Sequence, residues 1–179
     1  MTNAELAILG LIVEQPRHGY EVEQVIDERG MRDWTEVGFS SIYFLLNKLE
    51  KAGSILSHIE PAAGRGPSRK VYHPTQKGIQ VLRQGVSEAL SIPERTNSSL
   101  QLGLANLPSL QPDEVLRALR QRRQVLIGQI QGINQKWESQ RPLPFFVDAM
   151  FDNSLTILQA ELAWLDKFIQ RMEEEYAKA

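Results

Sequence analysis

The beginning of the chain shows two hydrophobic patterns, each typical of a helix. Apolar residues fill positions 6–13, so we predict a largely buried first helix that begins at a capping box formed by Thr2 and Glu5. Pro16 lacks the backbone N–H that a helix interior needs, and the helix is expected to stop before it. A second helix is predicted over residues 19–29, and its inward face carries Tyr20, Val22, Val25 and Ile26.

A third helix is predicted from Ser40 or Ser41, either of which can cap it, to Gly53, where glycine ends it. Apolar side chains at i, i+3, i+4 and i+7 form one buried stripe, which comprises Ile42, Leu45, Leu46 and Leu49. The opposite face is polar and basic with an aromatic residue at its centre, and it comprises Ser40, Tyr43, Phe44, Asn47, Lys48 and Lys51. Such a helix packs on one side and presents hydrogen-bonding groups on the other.

A hairpin and a fourth helix follow. Residues 55–60 and 69–73 have the composition of strands, and the loop between them contains glycines that permit positive φ. Thr75 is expected to cap the helix after the second strand. His58 and His73 are predicted to face each other across the strands. We favour two partly exposed histidines over a metal or pH-sensing site, because no carboxylate or thiol is placed to complete a ligand set.

Beyond residue 90 the chain continues into two long heptad patterns. Residues 91–110 are predicted to form a connection, and Pro112 suits the first turn of the helix that follows. This helix has a heptad repeat of apolar residues that only the polar Arg123 interrupts; the repeat comprises Leu116, Leu119, Leu126, Ile130, Ile133 and Trp137. After a break at 141–144 the repeat returns as Phe151, Leu155, Leu158, Leu162, Leu165, Ile169 and Met172. Two heptad helices joined by a tight proline turn predict an antiparallel hairpin whose seam can bind a second copy.

These elements predict a mainly α protein with a small β-hairpin. Three helices, a hairpin with a basic tip and a further helix occur in the order of a winged helix-turn-helix, in which the hairpin is called the wing. We therefore expect a winged helix-turn-helix DNA-binding domain at residues 1–90, a connector at 91–110 and a helical dimerisation arm at 111–179. The residues expected to hold the dimer together are Leu119, Leu126, Ile130, Ile133, Leu155, Leu158, Leu162, Leu165 and Ile169.

The distribution of charge favours a DNA-binding surface. The 179-residue chain has a net charge of -2, but residues 48–83 hold seven basic side chains against two acidic ones. Such local positive charge is expected of a phosphate-binding surface, and an ordinary solvated face is the alternative. The side chains expected to contact DNA are Ser40, Ser41, Tyr43, Phe44, Asn47, Lys48 and Lys51 of the third helix and Arg65, Arg69 and Lys70 of the wing.

The aromatic residues leave several alternatives open. Phe44 is expected either to touch thymine methyl groups or to pack on the 31–38 loop. We expect Tyr20 in the core with its hydroxyl near the DNA backbone, and Tyr72 beneath the wing. The aromatic stripe of the arm is expected to be core, and the alternative is a pocket for a small aromatic effector lined by Trp137, Phe151 and Trp164.

Several classes of function have no support in the sequence. The chain has no cysteine, which excludes disulfides and thiolate metal sites. It also has no GxSxG, P-loop, HExxH or GxGxxG motif, so we expect neither an enzyme nor a bound cofactor or metal. No apolar run is long enough to span a membrane and the chain does not begin with an export signal, so a cytoplasmic protein is expected.

A specific resemblance lies in four short segments, which are SSIYFLLNKLEKAGSI, GRGPSRKVYHPTQKG, HGYE at residues 18–21 and Ala163-Trp164-Leu165. In this combination the chain resembles the PadR family of transcriptional regulators over nearly its whole length, with Pro74 where the family usually has leucine. The resemblance implies control, usually repression, of a nearby promoter by a homodimer bound to double-stranded DNA, in some members relieved by a small aromatic ligand. The alternative function is a winged-helix protein-interaction module without operator binding.

Overall fold

The computed structural model describes residues 1–35, 38, 41–61, 68–93 and 98–177. Its elements follow in the order α1 (Asn3–Glu14), β1 (Arg17–His18), α2 (Gly19–Glu28), α3 (Ser41–Lys51), β2 (Ile55–Glu60), β3 (Arg69–Pro74), α4 (Gln76–Ser91), α5 (Ser99–Ala105), α6 (Pro112–Gln140) and α7 (Phe145–Tyr176). Short 3-10 helices lie at Met31–Asp33 and Leu107–Ser109. Contacts divide the chain into two compact units, Met1–Arg95 and Thr96–Ala179. The predicted fold class, mainly α with a small antiparallel sheet, is confirmed.

Reciprocal side-chain caps fix the starts of the first two helices. The Glu5 backbone N–H donates to Thr2 Oγ1 at 3.2 Å, and the Thr2 backbone N–H donates to Glu5 Oε2 at 2.8 Å, as the sequence predicted. At α2 the cap is a histidine, because His18 Nδ1 accepts from the Glu21 backbone N–H at 3.2 Å. The Glu21 carboxylate in turn accepts from the His18 backbone N–H at 3.0 Å. These caps satisfy donors that a helix start leaves without partners.

The core of the first unit lies between α1, α2, α3 and the sheet. The predicted stripe of α3 is buried in it, as are residues of the other elements; the buried set includes Ile8, Leu9, Ile12, Val22, Ile26, Ile42, Leu45, Leu46, Leu49, Ile55 and Tyr72. The predicted burial of Tyr72 is therefore confirmed. The prediction for Tyr20 is wrong, since this residue is 61% exposed. It lies about 200° around α2 from Val22, which is buried, so it projects on the other side of the helix.

The sheet has three antiparallel strands in the order β1-β3-β2. Strand β1 has only two residues, too few for a visible alternation, and the sequence did not predict it. The ladder ends with Glu60 opposite Arg69, so His58 pairs with Val71. The predicted pairing of His58 with His73 is wrong by two positions, because the ladder places Leu56 opposite His73.

Helix α4 begins where the sequence predicts, at the Thr75 cap. Thr75 Oγ1 accepts from the Gly78 backbone N–H at 3.0 Å and donates to the carbonyl of Gly53 at 2.7 Å. Gly78 has no side chain to clash with this turn: a Cβ there would lie 1.9 Å from the Ser54 carbonyl oxygen. The start of α4 is therefore held tightly against the end of α3 and the start of β2.

The second unit consists mainly of the predicted antiparallel hairpin of α6 and α7. Its buried seam comprises Val115, Leu119, Leu126, Leu165 and Ile169, flanked by further apolar residues of both helices. Arg123 was predicted to interrupt the apolar repeat. Its positive charge is neutralised within the hairpin, because its guanidinium lies 2.6 Å from the Asp166 carboxylate. The predicted connection also contains a helix, α5, that the sequence analysis missed. Among the helices described, none combines the length and the apolar character needed to cross a membrane.

Candidate DNA-binding interface

Helix α3 presents the predicted polar face to solvent. Tyr43, Phe44, Asn47, Lys48 and Lys51 are all exposed, while the opposite stripe is buried. Ser41 begins the helix, and its hydroxyl donates to the Gly38 carbonyl at 2.6 Å. Two further predicted contact residues, Ser40 and Arg65, lie outside the described residues.

Phe44 is the most exposed aromatic residue of α3, with 66% of its surface accessible. A phenylalanine so exposed makes few core contacts, and its ring stands among the polar side chains of the helix. Of the two roles considered for it, contact with a partner agrees better with this exposure than packing within the domain.

A cleft of about 600 Å³ separates the exposed face of α3 from the wing. Elements β1, α2, α3 and β3 line this open cleft, and its polar lining includes His18, Tyr20, Tyr43, Asn47, Arg69, Lys70 and Tyr72. The part contributed by α2 was missed in the sequence, because these residues are distant from α3 and β3 along the chain. Gly19 allows the close approach of α2 and α3, since a Cβ there would lie 2.5 Å from Tyr43 Cε1.

Two of the lysines predicted to contact DNA already have carboxylate partners. Lys48 Nζ lies 2.6 Å from Glu5 Oε1, and Lys70 Nζ lies 2.8 Å from Glu50 Oε2. The hydrogen bond from Lys48 holds the pKa of Glu5 below its usual value, and the hydrogen bond from Lys70 does the same for the pKa of Glu50. The Glu50 carboxylate correspondingly raises the pKa of Lys70. Glu50 is already one of the two acidic residues counted in this stretch, so only the pairing of Lys48 with Glu5 lowers the local positive charge below the count from the sequence.

Arg69 and Lys51 differ from these two lysines. Within the described ranges neither has an ion pair with a carboxylate, and both side chains are exposed. Arg69 Nη1 lies 3.2 Å from His18 Nε2, at the edge of the cleft. Their positive charges are available to a phosphate group.

The two wing histidines lie close together without forming a metal site. The rings of His58 and His73 are 5.4 Å apart between centroids, and His73 Nε2 lies 3.3 Å from Glu60 Oε1. Over the described part of the chain, no group of three or more potential ligands is placed to hold a metal ion.

Most of the predicted dimerisation residues lie in the seam of the hairpin within one chain. Buried in the seam are Leu119, Leu126, Leu165 and Ile169, and Leu158 and Leu162 pack against them. Leu155 is also buried, and Ile130 and Ile133 are half-buried. Their part in a dimer stays a prediction. A second apolar stripe lies on the solvent side of α7; this outer stripe comprises Phe146, Met150, Ile157 and Trp164. Their spacings of four, seven and seven place them on one face of the helix.

The aromatic residues of the arm form two separate stacks. Trp137 stacks on Phe151 with 6.1 Å between ring centroids, and its Nε1 donates to Asp148 at 2.7 Å. Trp164 is exposed and stacks on Phe168 at 5.1 Å. Phe151 and Trp164 are thirteen positions apart on α7, which corresponds to about 20 Å. Within one chain, Trp137, Phe151 and Trp164 therefore do not line a single pocket.

Comparison with known proteins finds a likeness to one family over most of the first unit. Residues 8–84 match the family model of the transcriptional regulator PadR-like family. This range includes α3, both strands of the wing and the lining of the cleft. No curated protein matches the chain significantly.

Solved structures extend the likeness in fold to most of the chain. PadR of Bacillus subtilis in complex with operator DNA is 21% identical, with a TM-score of 0.76 over 94% of this chain and 98% of that one. The same protein in complex with p-coumaric acid is 20% identical, with a TM-score of 0.77 over the same shares. A PadR-like regulator of Bacillus cereus is 18% identical, with a TM-score of 0.68 over 97% of this chain and 99% of that one. Residues 8–84 thus match the model of the PadR-like family, and the fold of PadR extends over nearly the whole chain.

Proposed function

We propose that this protein is a cytoplasmic, sequence-specific DNA-binding transcriptional regulator that acts as a homodimer, as a repressor and not as an enzyme. The observation that carries the proposal is the exposed polar face of α3 beside the cleft and the wing. The structure of B. subtilis PadR on operator DNA supports it by likeness of fold. A helix in this position of a winged helix-turn-helix enters the major groove.

The side chains of α3 have the chemistry for reading base edges. Asn47 can pair bidentately with adenine, and Phe44 can contact the methyl group of thymine. Ser40, Ser41 and Tyr43 supply hydroxyl groups at the beginning of the helix, which is the part that reaches the bases. Phosphate contacts are assigned to Lys51 and to the wing residues Arg65 and Arg69.

The outer stripe of α7 is the surface we assign to the dimer. Its apolar side chains are exposed in a single chain, and Ile157, the clearest case, is 59% accessible. A second copy packed on this stripe would remove the apolar surface from water, which is favourable. The inner seam is already filled within the chain, so the residues predicted from the heptads would support the dimer by keeping the hairpin rigid.

DNA binding is tested by fluorescence anisotropy on labelled DNA from upstream of the protein's own gene and on a scrambled duplex. Asn47→Ala should cost about 1–3 kcal/mol on the cognate DNA and little on the scrambled DNA. Asn134→Ala, the same substitution on α6, is the matched control and should bind both like the wild type. An equal loss on both duplexes for Asn47→Ala would show that this residue does not read bases.

A small aromatic acid is the effector we propose. Trp164 is the last residue of the outer stripe, and its stack on Phe168 offers a flat apolar surface where the proposed dimer contact ends. B. subtilis PadR is known in complex with p-coumaric acid. Titration with p-coumaric acid should quench tryptophan fluorescence and raise the operator dissociation constant together, since a ligand that opposes DNA binding must do so reciprocally. Trp164→Ala should remove both effects, and quenching without loss of DNA affinity would contradict a switch.

A protein-interaction module is the second candidate, and the paired lysines favour it. Lys48 and Lys70 are each paired with a carboxylate, so the interface has fewer unpaired positive charges than its number of basic residues indicates. Under this alternative the exposed tyrosines and Phe44 would bind a protein. A gel shift on the upstream DNA distinguishes the two: binding that weakens steeply with salt belongs to a regulator, and its absence to the module.

A further inference from the structure

Two ion pairs join α3 to its neighbours, one to α1 and the other to the wing. Lys48 of α3 reaches Glu5 of α1 at 2.6 Å, and Glu50 of α3 reaches Lys70 of β3 at 2.8 Å. We call these the α1 clamp and the wing clamp. The partners are 43 and 20 positions apart along the chain, so each clamp fixes α3 relative to an element that local sequence does not connect to it.

The carboxylate of each clamp is itself held in place. Glu5 is only 8% exposed at its side chain, and its other oxygen accepts the backbone N–H of Thr2 at the start of α1. Glu50 also accepts a hydrogen bond from the Ser57 hydroxyl on β2. Each acid therefore has two donors and cannot follow its lysine outward without losing the second one. Departure of the lysine from Glu5 would leave a buried carboxylate without its cation, which is unfavourable.

A lysine held in this way differs from a free lysine in how it responds to DNA. Neutralising a phosphate releases condensed counterions, and each such contact adds to the salt dependence of binding. A lysine whose charge is already balanced by a fixed carboxylate brings no net charge to the phosphate and adds little to that dependence. The neighbouring Arg69, which has no carboxylate partner among the described residues, should contribute fully.

We propose that Glu5 and Glu50 are positioning residues that hold Lys48 and Lys70 as internal counterions, and that these two lysines set the position of α3 rather than neutralise operator phosphates. The inference rests on the proposed DNA-binding function. It reassigns two residues whose type and location alone indicate DNA contacts. The lowered pKa of both acids agrees with it.

The salt dependence of operator binding tests the wing clamp, with adjacent wing residues as matched variants. Arg69→Gln should reduce the slope of log K against log salt by about 0.9 per bound domain. Lys70→Gln alone leaves the Glu50 carboxylate unpaired, so its slope should also fall, and the charge-balanced double variant carries the comparison. Glu50→Gln should increase the slope by about 0.9, because it frees Lys70; this is roughly a 3.5-fold effect between 50 and 200 mM salt. Adding Lys70→Gln to Glu50→Gln should restore the wild-type slope.

A slope in the double variant Glu50→Gln with Lys70→Gln that falls below the wild-type slope by as much as that of Arg69→Gln would overturn the proposal, because it would show that Lys70 neutralises a phosphate in the wild-type protein. Circular dichroism identifies any variant that fails to fold. If the double variant does not fold, the Glu50→Gln slope decides, because an unchanged slope there would mean that Lys70 already neutralises a phosphate. A carboxyl-carbon NMR titration without DNA provides a second readout. The pKa of Glu50 should rise in Lys70→Gln and that of Glu5 in Lys48→Gln, and no rise would contradict the clamps. A wild-type protein that binds no DNA would contradict the proposed function, while the NMR titration would still test the clamps.

Discussion

Replacing Gly19 with alanine tests whether the Tyr43 side chain is part of the interface. A Cβ at this position would lie 2.5 Å from Tyr43 Cε1, whereas ordinary contact begins at 3.4 Å, so the ring must move by about 0.9 Å. Tyr43 is exposed and its ring can turn outward, and alanine favours the helix more than glycine does. We therefore expect the free energy of unfolding to change by less than about 1 kcal/mol. A hydrogen bond from the Tyr43 hydroxyl to DNA would be broken by the same movement, at a cost of about 1.5 kcal/mol or roughly tenfold in affinity.

Anisotropy on the upstream DNA, combined with thermal unfolding, measures both effects. The Gly19→Ala loss should disappear in the background of Tyr43→Ala, because the ring that the methyl group displaces is then absent. An equal loss in both backgrounds would show that the methyl group acts on something other than Tyr43. A large fall in stability would show instead that the close approach of α2 and α3 is needed for folding, and either result would refute the reasoning.

Three further predictions concern packing, assembly and pH. Gly78→Ala should lower the free energy of unfolding by about 3 kcal/mol or more, because its Cβ would lie 1.9 Å from a backbone oxygen. Gly10→Ala, with only a 3.9 Å contact, should raise it by about 0.4–1 kcal/mol, and chemical unfolding measures both changes. Ile157→Asp should leave the chain folded but monomeric in sedimentation, and an intact dimer would exclude the outer stripe as the interface. The pKa of Glu5 is lowered in the folded protein, so this residue contributes to stability above its usual pKa near 4.5. The contribution is lost as the pH falls through the lowered pKa. The free energy of unfolding of Glu5→Gln should therefore depend less on pH than that of the wild type between the lowered pKa and 4.5.

Local periodicity and capping chemistry account for the elements that the sequence predicted. The stripe of α3 at i, i+3, i+4 and i+7 is buried, and the Thr2 and Thr75 caps form as expected. These features depend on residues within one or two turns, so they can be read without a tertiary structure. The polar face of α3 followed from the same periodicity.

Features that depend on distant residues could not be predicted in this way. The cleft joins α2, α3 and β3, and the pairing of Lys48 with Glu5 spans 43 positions, so neither leaves a local pattern. The heptads of α6 and α7 indicated an apolar seam but not which chain covers it, and the seam is filled within one hairpin. The prediction for Tyr20 failed because it assigned this residue to the inward face of α2 together with Val22, although two positions turn a helix by about 200°.

The central claim, that α3 reads operator DNA in a homodimer, is tested most directly by selecting bound fragments from the source genome and footprinting the selected site. We predict one enriched sequence with two half-sites, both protected on the same face of the duplex. The centres of the half-sites should be separated by about 34 Å, which is one turn of the DNA helix, or by a multiple of that distance. Asn47→Ala should lose this enrichment while keeping weak binding to all DNA. Recovery of random fragments by the wild-type protein, or a footprint that Asn47→Ala leaves unchanged, would contradict the account.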